Sequence, residues 1–308
     1  MPEVDQGQAG IVDAARPVPV KIMIPAHDEA AVVERCLSAL LRSARPDEFD
    51  VVVISNGSTD DTAQRARDAG VRLGRAVSAV EIPTASKIAA LRAADELLAD
   101  SPDAVRLYLD ADVILTTDAA RSLVEALKTP QPRLALAKLD IDTSASSWIV
   151  QRYYRGWMAL PYIQRQVAGS GVFAVNGPGA ARIGHWPDVI NDDGYASRCF
   201  SADERVLVDA SFRAFAAHSV SALVRRRARI VNGNRQLDTL LPDRRANAGS
   251  SNGMSELRSA VRGGRVDRLS ALVFVGVTVG ARLLAGWRRI TGSAARWSSD
   301  RTTRQAAV

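Results

Sequence analysis

Cysteine is almost missing from this chain. Two occur in 308 residues, Cys36 and Cys199, so neither a secreted disulfide framework nor a CxxC metal knuckle can be built. A reducing, cytoplasmic compartment is therefore expected. Aromatic residues make up only 5%, too few for the basic, ring-studded surface of a nucleic-acid binder, and no nucleic-acid partner is expected. Three histidines, His27, His185 and His218, show no HExxH-type spacing. Residues 1–18 carry Glu3, Asp5 and Asp13 with no apolar run, which reads as a flexible leader and not as a signal peptide. Lysine is absent from Ser221 onward, where 17 arginines face five acids. That end carries +12 while the whole chain is +6, so residues 1–220 are acidic. An arginine-rich end suits anionic lipid or a diphosphate.

What is present describes a globular protein: 47% hydrophobic and 24% charged residues. A chain of this length buries roughly 75% of its unfolded surface and needs no disulfide or structural zinc. Apolar runs at 20–24, 51–54, around Glu81-Ile82 and at 105–109 each lead into a helical pattern or a polar strand end. Such alternation predicts an α/β fold, a mostly parallel sheet with helices on both faces. Beyond it the sequence predicts a strand at 134–139, a Trp- and Tyr-rich helix at 148–162, a glycine-punctuated stretch at 169–184 and a helix at 203–218. Asn232-Gly233-Asn234 reads as a turn. Residues 241–268, rich in glycine at 249–253 and 263–264, read as a mobile connector, and 269–308 as a helical, Arg-rich tail. The expected organisation is thus a leader (1–18), one domain (19–240) with halves at 19–117 and 118–240, then connector and tail.

In such sheets ligands bind beyond the carboxyl ends of the strands. The chemically informative residues fall there: His27 to Glu29, Asn56 to Asp61, Ser86-Lys87, and Asp110 with Asp112. Two carboxylates at one strand end can share a hard divalent cation bridging a diphosphate. Asp-x-Asp occurs twice, at Asp110-Ala111-Asp112 and Asp140-Ile141-Asp142. That is about the number chance would give, so position decides. The first closes the fourth strand of the regular unit and is taken as the metal site. Lys87 in a helix's first turn suits a phosphate, although a solvated surface lysine would look the same. Asp60 and Asp61 equally suit a helix N-terminus. In the neighbouring pair Asp192-Asp193 one acid could be raised towards the pKa of a general base, while Gly194 after them also suits an ordinary turn. Arg225, Arg226, Arg227 and Arg229 could clamp phosphate or form a solvated face.

Taken in order, Ile24-Pro25-Ala26-His27-Asp28-Glu29, Val53-Ile54-Ser55-Asn56-Gly57-Ser58-Thr59-Asp60-Asp61-Thr62, Ser86-Lys87 with Ala90-Leu91, and Leu109-Asp110-Ala111-Asp112 resemble the family 2 inverting glycosyltransferases of GT-A fold. The resemblance spans about residues 18–235. It implies that Pro25, Ala26, Glu29, Asn56 and Ser58 hold the base and ribose of a nucleotide-sugar donor. By the same likeness Lys87 matches the family's lysine before an Ala-Leu helix, and Asp110 and Asp112 match its Asp-x-Asp, which holds ribose and Mn2+ or Mg2+. Residues 169–173, with Gly171, resemble the acceptor-side strand. Residues 186–193, with Trp186, resemble the segment carrying the catalytic acid pair, which makes Asp193 the base and Asp192 its neighbour. Arg226 and Arg229 stand late in the chain where processive synthases carry Gln-x-x-Arg-Trp. That motif is missing, which implies transfer of a single sugar. Ser55-Asn56 stands where members commonly have Asp-Asp, which leaves the nucleotide open. The acceptor expected is a glycan, a lipid or a small molecule.

The tail offers Leu269 to Ala281 without a charge, then Arg282, then more apolar residues. That is borderline for a bilayer span of about 20 residues. The expectations are a helix packed on the domain or on a homodimer mate, one lying peripherally on the cytoplasmic face of a membrane, or one spanning it. Two other functions fit parts of the sequence. Residues 108–113 also resemble the nucleophile strand of haloacid dehalogenase-like phosphotransferases, but there Asp-x-Asp ends the first strand, whereas here three precede it and Ile114 stands where Thr or Val is usual. The other is a non-catalytic nucleotide-sugar-binding module held at a membrane.

Overall fold

A computed structural model describes residues 19–164, 171–248 and 253–291. The leader, Gly169-Ser170, residues 249–252 and the tail beyond 291 lie outside the described residues. In chain order the elements are β1 (Val20–Ala26), α1 (Val33–Leu41), β2 (Asp50–Asn56), α2 (Thr62–Leu73), β3 (Val77–Ile82), α3 (Lys87–Leu97), β4 (Val105–Leu109), β5 (Ile114–Leu115) and α4 (Thr117–Glu125). Then follow β6 (Leu134–Asp142), α5 (Trp148–Met158), α6 (Pro161–Gln164), β7 (Val172–Val175), α7 (Gly177–Ile183), α8 (Asp192–Arg198), β8 (Arg205–Phe215) and α9 (Val220–Leu240). A 3-10 turn (Pro242–Ala248), α10 (Gly253–Arg262) and α11 (Arg268–Ile290) complete the described chain.

The α/β expectation holds. Eight strands form one sheet in the order β3-β2-β1-β4-β7-β6-β8-β5. The first four are parallel, as their short βα units require, while β7 runs antiparallel to both β4 and β6. Because β6 and β8 are parallel to each other, the carboxyl ends of β1, β2, β4, β6 and β8 and the start of β7 share one sheet edge. Alternation along β1 feeds a core on each face. Ile22 and Ile24 pack with Val33, Leu37 and Leu40 of α1, whereas Met23 packs with Leu91 of α3 and Phe173 and Trp186. Each such buried side chain contributes about 1.5–3 kcal/mol relative to exposure.

Three secondary-structure expectations fail here. Residues 203–218 are not a helix: 205–215 is the long strand β8, with Val208, Phe212 and Ala214 buried and Asp209, Ser211 and Arg213 exposed. Its alanines and arginines favour a helix locally, but the period-two burial and eight paired positions with β6 decide the matter. Asn232-Gly233-Asn234 is not a turn but lies inside α9. Glycine is needed there because a Cβ on Gly233 would come within 2.9 Å of the Asn191 Cβ. The helix expected at 148–162 breaks before Pro161 into α5 and α6. Residues 241–268, expected as a connector, carry the 3-10 turn and α10, whose Leu257 and Ala260 are buried.

Candidate active site

The loops after β1 and β2 brace one another. Asp28 adopts φ 51°, and its carboxylate accepts from the Thr59 amide at 2.8 Å. The Glu29 amide donates to Thr62 Oγ1 at 2.8 Å and the Ala30 amide to Asp60 at 3.2 Å. His27 Nδ1 lies 2.7 Å from the Asn56 carbonyl oxygen. Pro25 and Ala26 end β1 with buried side chains, so they can offer a ligand only their backbone edge. Ser58 is spent internally: its Oγ accepts from the Asp28 amide and the Ser55 hydroxyl. Asn56, 1% exposed, keeps an amide nitrogen Nδ2 without a hydrogen-bond partner among the described residues. A buried donor left unmade costs about 1–3 kcal/mol, and a bound base or ribose oxygen would satisfy it. Gly57, at φ 62°, permits the close crossing of Ala85, whose backbone nitrogen would lie 2.7 Å from an added Cβ. The segment leading into α3 is thereby laid against the β2 loop.

Lys87 is the first residue of α3, behind the N-cap Ser86. Its ammonium lies 2.6 Å from Asp110 Oδ1 and 2.7 Å from Asp192 Oδ2, joining the end of β4 to the start of α8. Gly171 makes the third link. Its carbonyl accepts from the Asp110 amide at 2.8 Å, and its own amide donates to Asp193 Oδ2 at 2.9 Å. The residue sits at φ 93°, and a Cβ would come within 2.9 Å of Asp110 Oδ2. Glycine is therefore required on two counts.

Electrostatics follow from this crowding. Burial raises the Asp193 carboxyl to about 7; Asp192 and Asp110 add to the rise, and Lys87 opposes it. Burial, Asp112 and Asp192 likewise push Asp110 up against the pull of Lys87. Burial alone would lower the Lys87 ammonium, but Asp110, Asp192 and Asp193 outweigh it and lift it well above its usual value. Asp112 lies close enough to act on Asp110 electrostatically and makes no hydrogen bond or ion pair among the described residues. Arg229 of α9 is lowered by burial and by Arg226, while Asp192, Asp110 and Asp112 pull it back up. The helix thus presents a cation to the acidic cluster.

The α8 acid pair is held by α9 as much as by its own helix. Asn191 caps α8 through the Gly194 amide and donates to Asn234 Oδ1 at 2.7 Å. Gln236 accepts from the Ile190 amide at 2.9 Å and donates to the Asp188 carbonyl at 2.7 Å.

Trp186 does not sit where an acceptor could touch it. Its side chain is 0% exposed, edge-on to Tyr108 at 5.5 Å and near Phe173 and Tyr195. An indole that large gains more from the core than from a solvent-facing cleft. Its backbone carbonyl instead accepts from Arg92, which anchors the approach to α8. The second Asp-x-Asp lies apart from the lysine cluster: Asp140 pairs with Arg213 on β8, and Asp142 accepts from the Ser144 amide. Arg35 escaped the sequence reading altogether. Its guanidinium stacks 4.1 Å over Phe215 at the end of β8, with Nε and one Nη buried and without a hydrogen-bond partner among the described residues. No motif carries that signal, since it exists only once α1 meets β8.

Among the described residues no group of three or more His, Cys, Asp or Glu could cage a metal ion. Two carboxylates at a strand end, one of them unpartnered, nevertheless fit a hard cation that takes its remaining oxygens from a ligand's phosphates.

A model of the family described as "Glycosyl transferase family 2" matches residues 21–182, more than half of the chain. Among solved structures, a mannosyltransferase of Pyrobaculum calidifontis in complex with GDP-Man and Mn2+ is similar at TM-score 0.61 and 16% identity, covering 88% of this chain and 87% of that one. The glucosyl-3-phosphoglycerate synthase of Mycobacterium tuberculosis with Mg2+ and UDP gives TM-score 0.48 and 19% identity over 71% and 78%. No curated protein sequence matches significantly.

Proposed function

The chain belongs to glycosyl transferase family 2, and from that premise we propose that it transfers a single sugar, with inversion, from a nucleoside-diphosphate donor to an acceptor hydroxyl or amine. The same membership sets aside the phosphotransferase alternative. One observation carries the mechanism: Asp193, raised to about 7, is aimed by the Gly171 amide in the same cluster as Asp110, Lys87 and Asp192. A carboxylate near neutrality is matched to removing a proton from an attacking hydroxyl at working pH.

Asn56 would read the base or ribose, with Glu29 beside it and Pro25 and Ala26 lining the approach by their backbone. Lys87 and Arg229 would hold the negative charge that grows on the departing diphosphate, and Arg226, one turn earlier on α9, would add a further cation. Asp112 and Asp110 would hold Mn2+ or Mg2+, which when bound supplies Lewis-acid neutralisation of the diphosphate. Asp193 takes the acceptor's proton as the oxygen or nitrogen attacks the anomeric carbon opposite the leaving group. The bond to the diphosphate breaks on the far face, so configuration inverts without a covalent enzyme intermediate. Asp192 keeps Lys87 in place and keeps Asp193 basic. Gly171 acts by positioning Asp193. The acceptor, whether glycan, lipid or small molecule, would enter on the Asp193 side.

The test is a thermal-shift panel of UDP-, GDP-, dTDP- and ADP-sugars with and without Mn2+. A rise for one donor that depends on the metal is expected. The absence of any donor-dependent shift, with or without metal, would overturn the reading.

A further inference from the structure

Helix α11 has two faces with different fates. Phe274, Val277, Ala281 and Ala285 are buried, and α11 packs against α5 and α9, with the Phe274 ring stacked on Tyr153 at 5.4 Å. The other face carries Leu269, Leu272, Val279, Leu283, Trp287 and Ile290, each 44–81% exposed. These six recur at helical spacing along one stripe of about 32 Å. Gly276 lies in that stripe, and neither it nor Gly280 has a neighbour within 4 Å of an added Cβ, so their GxxxG spacing packs no helix among the described residues. Trp148 and Ile149 at the start of α5 are 53% and 40% exposed. They extend the patch, because Arg152 one turn later pairs with Asp267 at the head of α11. Arg268, Arg282 and Arg289 are exposed along the same helix.

We propose that this stripe is a membrane-docking surface on which α11 lies in the plane of an anionic bilayer, its leucines and Trp287 in the acyl boundary and its arginines at lipid phosphates. The helix is long and apolar enough to cross a membrane by length and composition. Crossing would strip Phe274, Val277, Ala281 and Ala285 from the domain core, which the in-plane arrangement leaves intact. Charge selects the occupant. A second copy would bring the same arginines against themselves within a segment carrying +12, whereas anionic headgroups neutralise them. An apolar stripe flanked by arginine is the pattern of interfacial helices.

The experiment is co-sedimentation of the full chain with sucrose-loaded vesicles of phosphatidylcholine alone or with about 30% phosphatidylglycerol. Binding to the anionic vesicles at least about tenfold above the neutral ones is expected, and release by alkaline carbonate. The double variant Leu272→Glu and Leu283→Glu should lose about tenfold or more of that binding while keeping the wild-type melting temperature, because both side chains are exposed. Failure to bind anionic vesicles at low salt would overturn the proposal, as would undiminished binding of the double variant. Retention after carbonate would show a spanning helix instead. A concentration-dependent dimer abolished by the same substitutions, without lipid binding, would assign the stripe to a second copy.

Discussion

The two halves of the domain hold their candidate residues by different means. In 19–117 each candidate follows its own strand: Asn56 ends β2, Lys87 opens α3 and Asp110 succeeds β4. Neighbouring loops then tie to one another through short backbone and hydroxyl bonds. In 118–240 the proposed base depends on partners far along the chain. Asp193 is aimed by Gly171 from the start of β7, and its helix is pinned by Asn234 and Gln236 from α9. The first half is local and the second is assembled. On the proposed function, gripping a donor would need only loops at one sheet edge, but placing a base opposite the donor would require chain from elsewhere.

Substitutions separate the halves, the largest effect first. Asp193→Asn should lower kcat by about 10²–10⁴-fold and leave donor affinity, measured by titration calorimetry, within a few-fold. A variant with wild-type turnover would break the comparison by removing Asp193 from the chemistry. Lys87→Ala strands Asp110 and Asp192 together, and losing the shared cation of these partly exposed groups should cost about 1–3 kcal/mol in denaturant unfolding as well as donor binding. Gly171→Ala forces a Cβ against Asp110 at positive φ. A loss of about 1–3 kcal/mol is expected, together with a kcat defect larger than any KM change, because Asp193 loses its aim.

Proton linkage sharpens the same contrast. Asp193 binds its proton more tightly folded, near 7, than at its ordinary 3.8. Its contribution to stability is therefore complete below about 3.8 and is lost as pH rises through about 7. The melting-temperature advantage of Asp193→Asn over wild type should accordingly grow between pH 5 and 8. Turnover runs the other way, rising with pH through about 7 as the base loses its proton. The smallest effect belongs to the second Asp-x-Asp: Asp140→Asn removes a half-exposed pair with Arg213. About 0.2–1 kcal/mol of stability should be lost, with unchanged turnover.

Much of the first half was legible because strand ends in a βα unit coincide with sequence punctuation. The second half misled where local preference and pairing disagreed. Residues 205–215 carry Ala and Arg at levels that suit a helix, yet β6 recruited them as a strand. Trp186 lies in a motif-like segment, but its bulk sends it to the core with Tyr108 and Phe173. Arg35 had no sequence signature, since its stacking on Phe215 is a product of α1 meeting the end of β8.

Periodicity and turn chemistry, which act within a few residues, determined the alternating strands and helices of 19–117 and the placing of Lys87, Asp110 and Asp112 at one edge. Only the tertiary structure decided that Asp193 faces that edge, that Gly171 serves both Asp110 and Asp193, and that one stripe of α11 stays outside the core. Those outcomes depend on contacts between distant segments, where burial and pairing override what any short stretch prefers.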